Sequence, residues 1–210
     1  MIKNILFDFD GVILDSMPIR DYGFREILKG FPKETVEKLI EYHRENGGLS
    51  RFVKIRYFFE EILKTKITEE EVEQFAYNFS KIMKKELINK KYLISDSVDF
   101  IKKNYKKFNI NIVSGSEEKE LNYLCENLGI KDFFITIKGS PIPKTELVKN
   151  IIEKYNYKKE ETILIGDSIN DYNAAKENGI KFYGYNNNSL KKKSEYYIKY
   201  FSSVENPNNL

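Results

Sequence analysis

Phe7-Asp8-Phe9-Asp10-Gly11-Val12-Ile13-Leu14-Asp15-Ser16 follows a short apolar run, Ile5 to Phe7, that has the length and composition of a buried strand. In an extended chain residues i and i+2 point to the same side, so Asp8 and Asp10 are expected to stand together where that strand ends. The carboxyl ends of strands are where open α/β sheets place their ligands. Two adjacent carboxylates repel each other unless a cation or a shared proton relieves them. A plain turn is the alternative for an isolated Asp-x-Asp-Gly, because Asp and Gly are common turn residues. The meaning of the pair therefore depends on partners further along the chain.

The residues after Ser16 are helical in pattern up to about Lys90. Four amphipathic segments follow one another without a strand: Ile19 to Leu28, Glu34 to Glu45, a third from the N-cap Ser50 to Leu63, and a fourth opened by the capping-box sequence Thr68-Glu69-Glu70-Glu71. Asn46-Gly47-Gly48 reads as a left-handed cap ending the second helix. From about residue 91 strands alternate with helices. Ser95-Asp96-Ser97 reads as a helix cap, and strands are expected at 109–113, 133–137, 162–165 and 180–183. This alternation implies an α/β fold, a Rossmann-like parallel sheet with helices on both faces, carrying an inserted all-helical unit. The expected division is a core of residues 1–15 and 91–210 with a cap of residues 16–90. The polar tail beyond about Ser202 is expected to fray.

The whole chain, 210 residues with 32% charged and a net charge of +3, is long enough for one large domain or two modest ones. Lysine dominates the basic side without an arginine-rich stripe, so no nucleic-acid partner is expected. No apolar run approaches the roughly 18 residues of a spanning helix, and the N-terminus runs directly into the Asp pair, so neither a membrane segment nor a signal peptide is expected. The single cysteine, Cys125, sits among Leu121, Leu124 and Leu128 at helical spacing and reads as a core thiol. A cytoplasmic protein is expected, as a monomer or a homodimer.

The informative pattern is what closes each expected strand. The first ends in Asp8 and Asp10, the next in Ser114-Gly115-Ser116, and a later one in Gly166-Asp167-Ser168-Ile169-Asn170-Asp171, while Lys144 opens the helix before this last strand. Parallel strands share one carboxyl edge, so these groups are expected to converge on a single crevice. Carboxylates, an ammonium and the hydroxyl and amides around Ser114 and Gly115 suit a hard cation such as Mg²⁺ together with a phosphate.

These four segments, in this order, resemble the haloacid dehalogenase-like hydrolase superfamily, and the helical insertion resembles the cap of the subfamily containing phosphoglycolate phosphatase and β-phosphoglucomutase. The resemblance implies that Asp8 is the nucleophile and that Asp10 is the general acid and base. It implies that Mg²⁺ is held by the Asp8 carboxylate, the Asp10 main-chain carbonyl and the Asp167 carboxylate. Ser114, Gly115 and Lys144 would bind the phosphoryl oxygens, and Asp171 would orient either a metal-bound water or Lys144. Lys138, six residues earlier, competes with Lys144 for the lysine role. The second Asp distinguishes phosphoryl transfer from dehalogenation.

In the cap, Gly48-Leu49-Ser50-Arg51 resembles the Gly-x-Ser-Arg of the mutases, whose arginine holds a second phosphate. Arg51, with Lys54 and Arg56 beyond it, reads either as a second anion site or as a solvated basic helix start. Arg20 stands where those mutases carry a histidine, which favours a phosphatase and makes Arg20 a further candidate on the substrate side. The expectation is a Mg²⁺-dependent phosphatase for a small anionic phosphorylated metabolite, a sugar phosphate or a phosphoglycolate-like ester. A phosphosugar mutase comes second and a catalytically silent phospho-ligand-binding or protein-binding relative third. His43, the only histidine, is expected to pack or face solvent rather than react.

Overall fold

The computed structural model describes residues 1–204. Six strands form one parallel sheet: β1 (Asn4–Phe7), β2 (Asn109–Glu117), β3 (Thr136–Ser140), β4 (Thr162–Gly166), β5 (Lys181–Tyr185) and β6 (Tyr196–Ile198), in the order β3-β2-β1-β4-β5-β6. Strand β1 is central, pairing in register with β2 on one side and β4 on the other. Its four residues are all buried, as an apolar run covered on both faces should be. The alternation along each strand divides the core into two layers. Ile5, Phe7, Ile112 and Ile165 face one layer, while Leu6, Val113 and Leu164 face the other, packed with Leu147 and Val148 of α7 (Lys144–Lys154) and Ala174 and Ala175 of α8 (Ile169–Asn178).

Between β1 and β2 the chain forms α1 (Met17–Ile27), α2 (Lys33–Glu45), α3 (Arg51–Tyr57), α4 (Glu69–Glu86) and α5 (Ser95–Asn104), and α6 (Glu118–Asn127) follows β2. The first four are the inserted helices. The chain leaves and re-enters the core side by side: Asp15 N–H donates to the Tyr92 carbonyl at 2.8 Å and Ile94 N–H to the Ile13 carbonyl at 2.9 Å. Helix α4 begins with the expected capping box, Thr68 and Glu71 exchanging side-chain and main-chain hydrogen bonds. Helix α3 is shorter than its pattern suggests. A π-helical turn at Phe58–Ile62 replaces its last part, where Phe58 and Phe59 meet Phe31 edge-on.

Several boundaries differ from the sequence reading. The strand expected at 133–137 is shifted to Thr136–Ser140. Residues Lys131–Phe133 form a 3₁₀ turn, with the Phe133 ring lying 5.1 Å from the Tyr105 ring instead of joining the ladder. Strand β2 runs on through Ser114 to Glu117 with a register shift after Val113. Strand β6 was not anticipated. Helix α5 takes Ile94, not a Ser95-Asp96-Ser97 side chain, at its N-cap. The Ser97 hydroxyl instead donates to the Val12 carbonyl and Asp96 accepts from Phe201 N–H at 2.8 Å. Asn46 ends α2 without a left-handed conformation, which appears two residues later at Gly48. Phe201 is buried against Phe7 and Phe100, so the expected fraying does not begin at Ser202, and the rest of that expectation falls on residues 205–210, outside the described residues. Among the described residues, no helix is long and apolar enough to cross a membrane.

Candidate active site at the sheet edge

The site is built where the central strands stop. Asp8 N–H still donates to the Ile165 carbonyl at 2.9 Å, which fixes the first carboxylate on the ladder itself. The chain then reverses: Gly11 N–H reaches the Leu14 carbonyl, and Ile13 and Leu14 N–H both reach the Phe9 carbonyl. Gly11 has φ +74°, and a Cβ there would collide with the Asp167 carboxylate, so both backbone and space require glycine at this turn. On the other side of β1, Asp167 follows β4, while Ser168 and Asp171 form the capping box that starts α8. The Asp171 Oδ2 accepts from Ser168 N–H at 3.0 Å and from its hydroxyl at 2.6 Å, leaving Oδ1 to face Lys144.

Lys144, the first residue of α7, is buried and joins two carboxylates: its Nζ lies 2.8 Å from Asp8 Oδ1 and also contacts Asp171 Oδ1. Lys138 does not reach this cluster. It is half exposed and pairs with Glu118 at 2.9 Å. Asp8, Asp167 and Asp171 carry carboxylate oxygens within 4.8 Å of one another. Burial first, then the neighbouring Asp171, raises the Asp8 carboxyl well above the usual range despite the pull of Lys144. Burial and Asp171 likewise push Asp167 up to about 7. Burial alone would lower the Lys144 ammonium, but Asp171 and Asp8 outweigh it and raise it. Three carboxylates against one ammonium leave an excess of negative charge, and an all-oxygen donor set of this kind fits a hard divalent cation.

Asp10 has different surroundings. Its Oδ1 accepts from Arg20 Nε at 2.7 Å and from the Ser16 hydroxyl, and its Oδ2 accepts from the Ser116 hydroxyl at 2.6 Å. Burial would raise this carboxyl, but Arg20 and the two hydroxyls outweigh it and hold it below the ordinary range. The two aspartates of one motif are therefore separated electrostatically. Ser114 is buried within β2, just past the register shift after Val113, its oxygen accepting from Ser116 N–H at 3.1 Å, and Gly115 faces the cavity.

The inserted helices close over this edge. Asn170 Nδ2 donates to the Gly47 carbonyl at 2.6 Å, and Gly48 lies against Gly115 and Ser168. A cavity of about 40 Å³ remains between the two parts, lined by Asp8, Asp10 and Asp167 at the sheet edge and by Arg20, Arg51 and Lys54 of the inserted helices. Arg51 is buried, donates to Ser80 Oγ at 2.6 Å and to Glu120 Oε2, and stacks over the Phe79 ring. Arg20 Nη1 lies 3.4 Å from Glu120 Oε1, so the fully buried Glu120 serves both arginines. Lys54 Nζ meets His43 Nδ1 at 2.8 Å. Burial pushes the Lys54 ammonium down to about 7. Burial followed by the Lys54 charge pushes the His43 imidazole down to about 2, so the ring is neutral. Arg56 points away and pairs with Glu69 and Glu60.

Sequence reasoning missed Ser16, Ser116, Glu120 and Asn170 at this site. Ser116 had a readable signal, since it stands two residues after Ser114 on an extended strand. Glu120 had none, lying within the run Glu117-Glu118-Lys119-Glu120 that reads as a solvated helix start.

A parallel sheet with a lysine-bridged carboxylate cluster at its carboxyl edge, roofed by inserted helices, defines an α/β enzyme of the aspartate-centred kind. The sequence model of the haloacid dehalogenase-like hydrolases matches residues 5–185. A phosphorylated carbohydrates phosphatase of Thermotoga maritima is 23% identical over 188 residues, covering 87% of this chain and 84% of that protein. A phosphoglycolate phosphatase of Vibrio parahaemolyticus is 24% identical over 201 residues, with 87% and 83% covered. Among solved structures, β-phosphoglucomutase of Clostridium difficile superposes with a TM-score of 0.78 at 19% identity, over 98% of this chain and 94% of that one. The chain belongs to the haloacid dehalogenase-like hydrolase family, as an enzyme of its phosphatase kind.

Proposed function

We propose that this protein is a Mg²⁺-dependent phosphatase that hydrolyses a small phosphorylated metabolite through an aspartyl-phosphate on Asp8, with residues 16–90 acting as a cap over a core of residues 1–15 and 91–210. The observation that carries this reading is the contrast between the two aspartates. Asp8 is fixed on the ladder beside Lys144, whereas Asp10, two residues on, is held apart by Arg20 and hydroxyls. This contrast supports a reading in which Asp8 attacks and Asp10 moves a proton.

In the first half-reaction an Asp8 carboxylate oxygen attacks phosphorus, the bond to the leaving oxygen breaks, and Asp10 gives that oxygen a proton. In the second, Asp10 takes a proton from water, the water oxygen attacks phosphorus, and the bond to Asp8 breaks to release phosphate. Lys144, Ser114 and the Gly115 amide would hold the phosphoryl oxygens as charge redistributes. Asp8, the Asp10 main-chain carbonyl and Asp167 would hold the Mg²⁺, which when bound neutralises the charge between carboxylate and phosphate, and Asp171 would keep Lys144 oriented. As it stands, Asp10 is held as the carboxylate, the form that serves as base. Its turn as acid requires Arg20 to let go, which an anionic group on the substrate would cause by taking up Arg20, Arg51 and Lys54, and requires Asp10 then to take up a proton from solvent before it passes one to the leaving oxygen.

Phosphate release from an aryl phosphate with Mg²⁺ tests the reading: wild type should turn over, and Asp8→Asn should lose activity by about 10³-fold or more. Unchanged release in that variant would exclude aspartyl-phosphate chemistry. Interconversion of sugar-phosphate isomers primed by a bisphosphate would favour the mutase instead, and binding of phosphate esters without turnover the silent relative.

A further inference from the structure

Glu120 is a carboxylate with no solvent exposure, in the first turn of α6, with each oxygen directed at a different arginine of the cavity wall. The arginines keep spare donors. Arg20 Nη2 and Arg51 Nε and Nη2 are buried and have no hydrogen-bond partner, although both side chains line the cavity. Unmet guanidinium donors in a buried wall suit an anion, and a planar two-oxygen group meets such forks best. The charge available to that anion is small. Arg20, Arg51 and Lys54 face two carboxylates, the partly buried Asp10 and the fully buried Glu120, and the His43 ring beside Lys54 is neutral. Lys54, pushed down to about 7, is only partly charged near neutral pH, and Glu120 cancels one of the two guanidinium charges beside it.

Building on the phosphatase reading above, we propose that Glu120 is a specificity-determining residue: by holding Arg20 and Arg51 together and cancelling one of their charges, it sets the far end of the cavity for a singly charged carboxylate in preference to a second phosphate. A phosphate monoester carries close to two negative charges at neutral pH and would meet Glu120 across the guanidinium groups. Selection against the wrong ligand by a like charge behind the binding group is an ordinary means of specificity. The small cavity favours the smaller acid in the same direction.

The test uses the full chain with Mg²⁺ and four esters: an aryl phosphate, and three short alkyl phosphates that differ only in a terminal hydroxyl, carboxylate or second phosphate. Wild type should prefer the carboxylate to either of the others by about tenfold or more in kcat/KM. Glu120→Gln should shift the ratio toward the bisphosphate by about tenfold, mainly through KM, whereas Glu120→Asp, which keeps the charge, should leave the order of preference as in wild type. Three results would overturn the proposal: a wild type that favours the bisphosphate, one that treats hydroxyl and carboxylate alike, or a Glu120→Gln variant that slows all esters by one common factor. Aryl phosphate turnover by wild type separates the two claims, because turnover without a terminal-group preference removes only this inference. If wild type hydrolyses nothing, the phosphatase reading fails, and calorimetric affinities of the carboxylate and bisphosphate esters then decide this one. If neither variant folds, the wild-type preference alone decides.

Discussion

Lys144 and Lys138 lie six residues apart in sequence and in opposite electrostatic settings. Lys144 is buried between Asp8 and Asp171, while Lys138 is half exposed beside Glu118. Removing a buried charge that holds two others costs stability as well as chemistry, about 3–5 kcal/mol where the partners stay ionised. Lys144→Ala should therefore lose about 10²–10³-fold in kcat and show a lower urea midpoint, whereas Lys138→Ala should stay close to wild type in both. The reverse ranking in paired kinetic and unfolding measurements would remove Lys144 from the site. Lys54 makes a second prediction. Its folded value of about 7 lies below the ordinary lysine value of 10.5, so between these the unfolded chain holds a proton that the folded one gives up. Stability from this group thus rises as pH increases through that window and is poorest below it. Lys54→Met should stabilise the fold by about 1–4 kcal/mol, more at about pH 6 than at about pH 9. It should also weaken turnover of substrates with an acidic terminus. Urea midpoints at the two pH values check it, and a variant less stable than wild type at the lower pH would rule out burial of the ammonium as the source of the effect. Asp8, Asp10, Asp167 and Lys144 were readable because each stands where an apolar run or a helix begins or ends. Glu120 was not, because its burial depends on two arginines brought from α1 and α3.

At the level of elements, β1 and β4 were legible because strands covered on both faces read as apolar runs, and β2 because Ile110, Ile112 and Val113 still mark it around the buried Asn111. Strand β6 was not, being three residues long at the sheet edge after a lysine-rich turn, and the Phe133-Phe134 pair misplaced β3 because aromatic residues there pack on the layer without joining the ladder. The extension of β2 past Ser114 has a functional consequence. It carries Gly115 up against the main chain of the loop between α2 and α3, where an added Cβ would overlap the Gly48 carbonyl. Gly115→Ala should force that loop back, raising KM by about tenfold while shifting Tm little. Gly30, in the turn between α1 and α2, has open space around its Cβ position, so Gly30→Ala should be silent in kinetics. Equal behaviour of the two variants would mean that contact between Gly48 and Gly115 is not needed for function.

Across the whole molecule, both the central strand and the roof depend on a cluster whose charges do not balance. Asp8 and Asp171 are bridged by Lys144, but Asp167 adds a carboxylate that Gly11 packs against and that no side-chain cation pairs with among the described residues. Folding forces these groups together, whereas in the unfolded chain they separate, so their repulsion weighs on the folded state alone. A divalent cation that binds only the folded cluster stabilises it by mass action, about 2.7 kcal/mol at a hundredfold excess over Kd. For a chain of this size that corresponds to a rise in Tm of about 5–10 °C. Mg²⁺ should produce this rise in wild type. Asp167→Asn, which removes one repelling charge and one donor, should start from a higher Tm without metal and gain little from adding it. The opposing signs matter, because a substitution that merely damaged the fold would lower the metal-free Tm. Thermal unfolding with and without Mg²⁺ decides between them, and an Asp167→Asn protein that is less stable without metal and still gains the full increment would place the cation elsewhere.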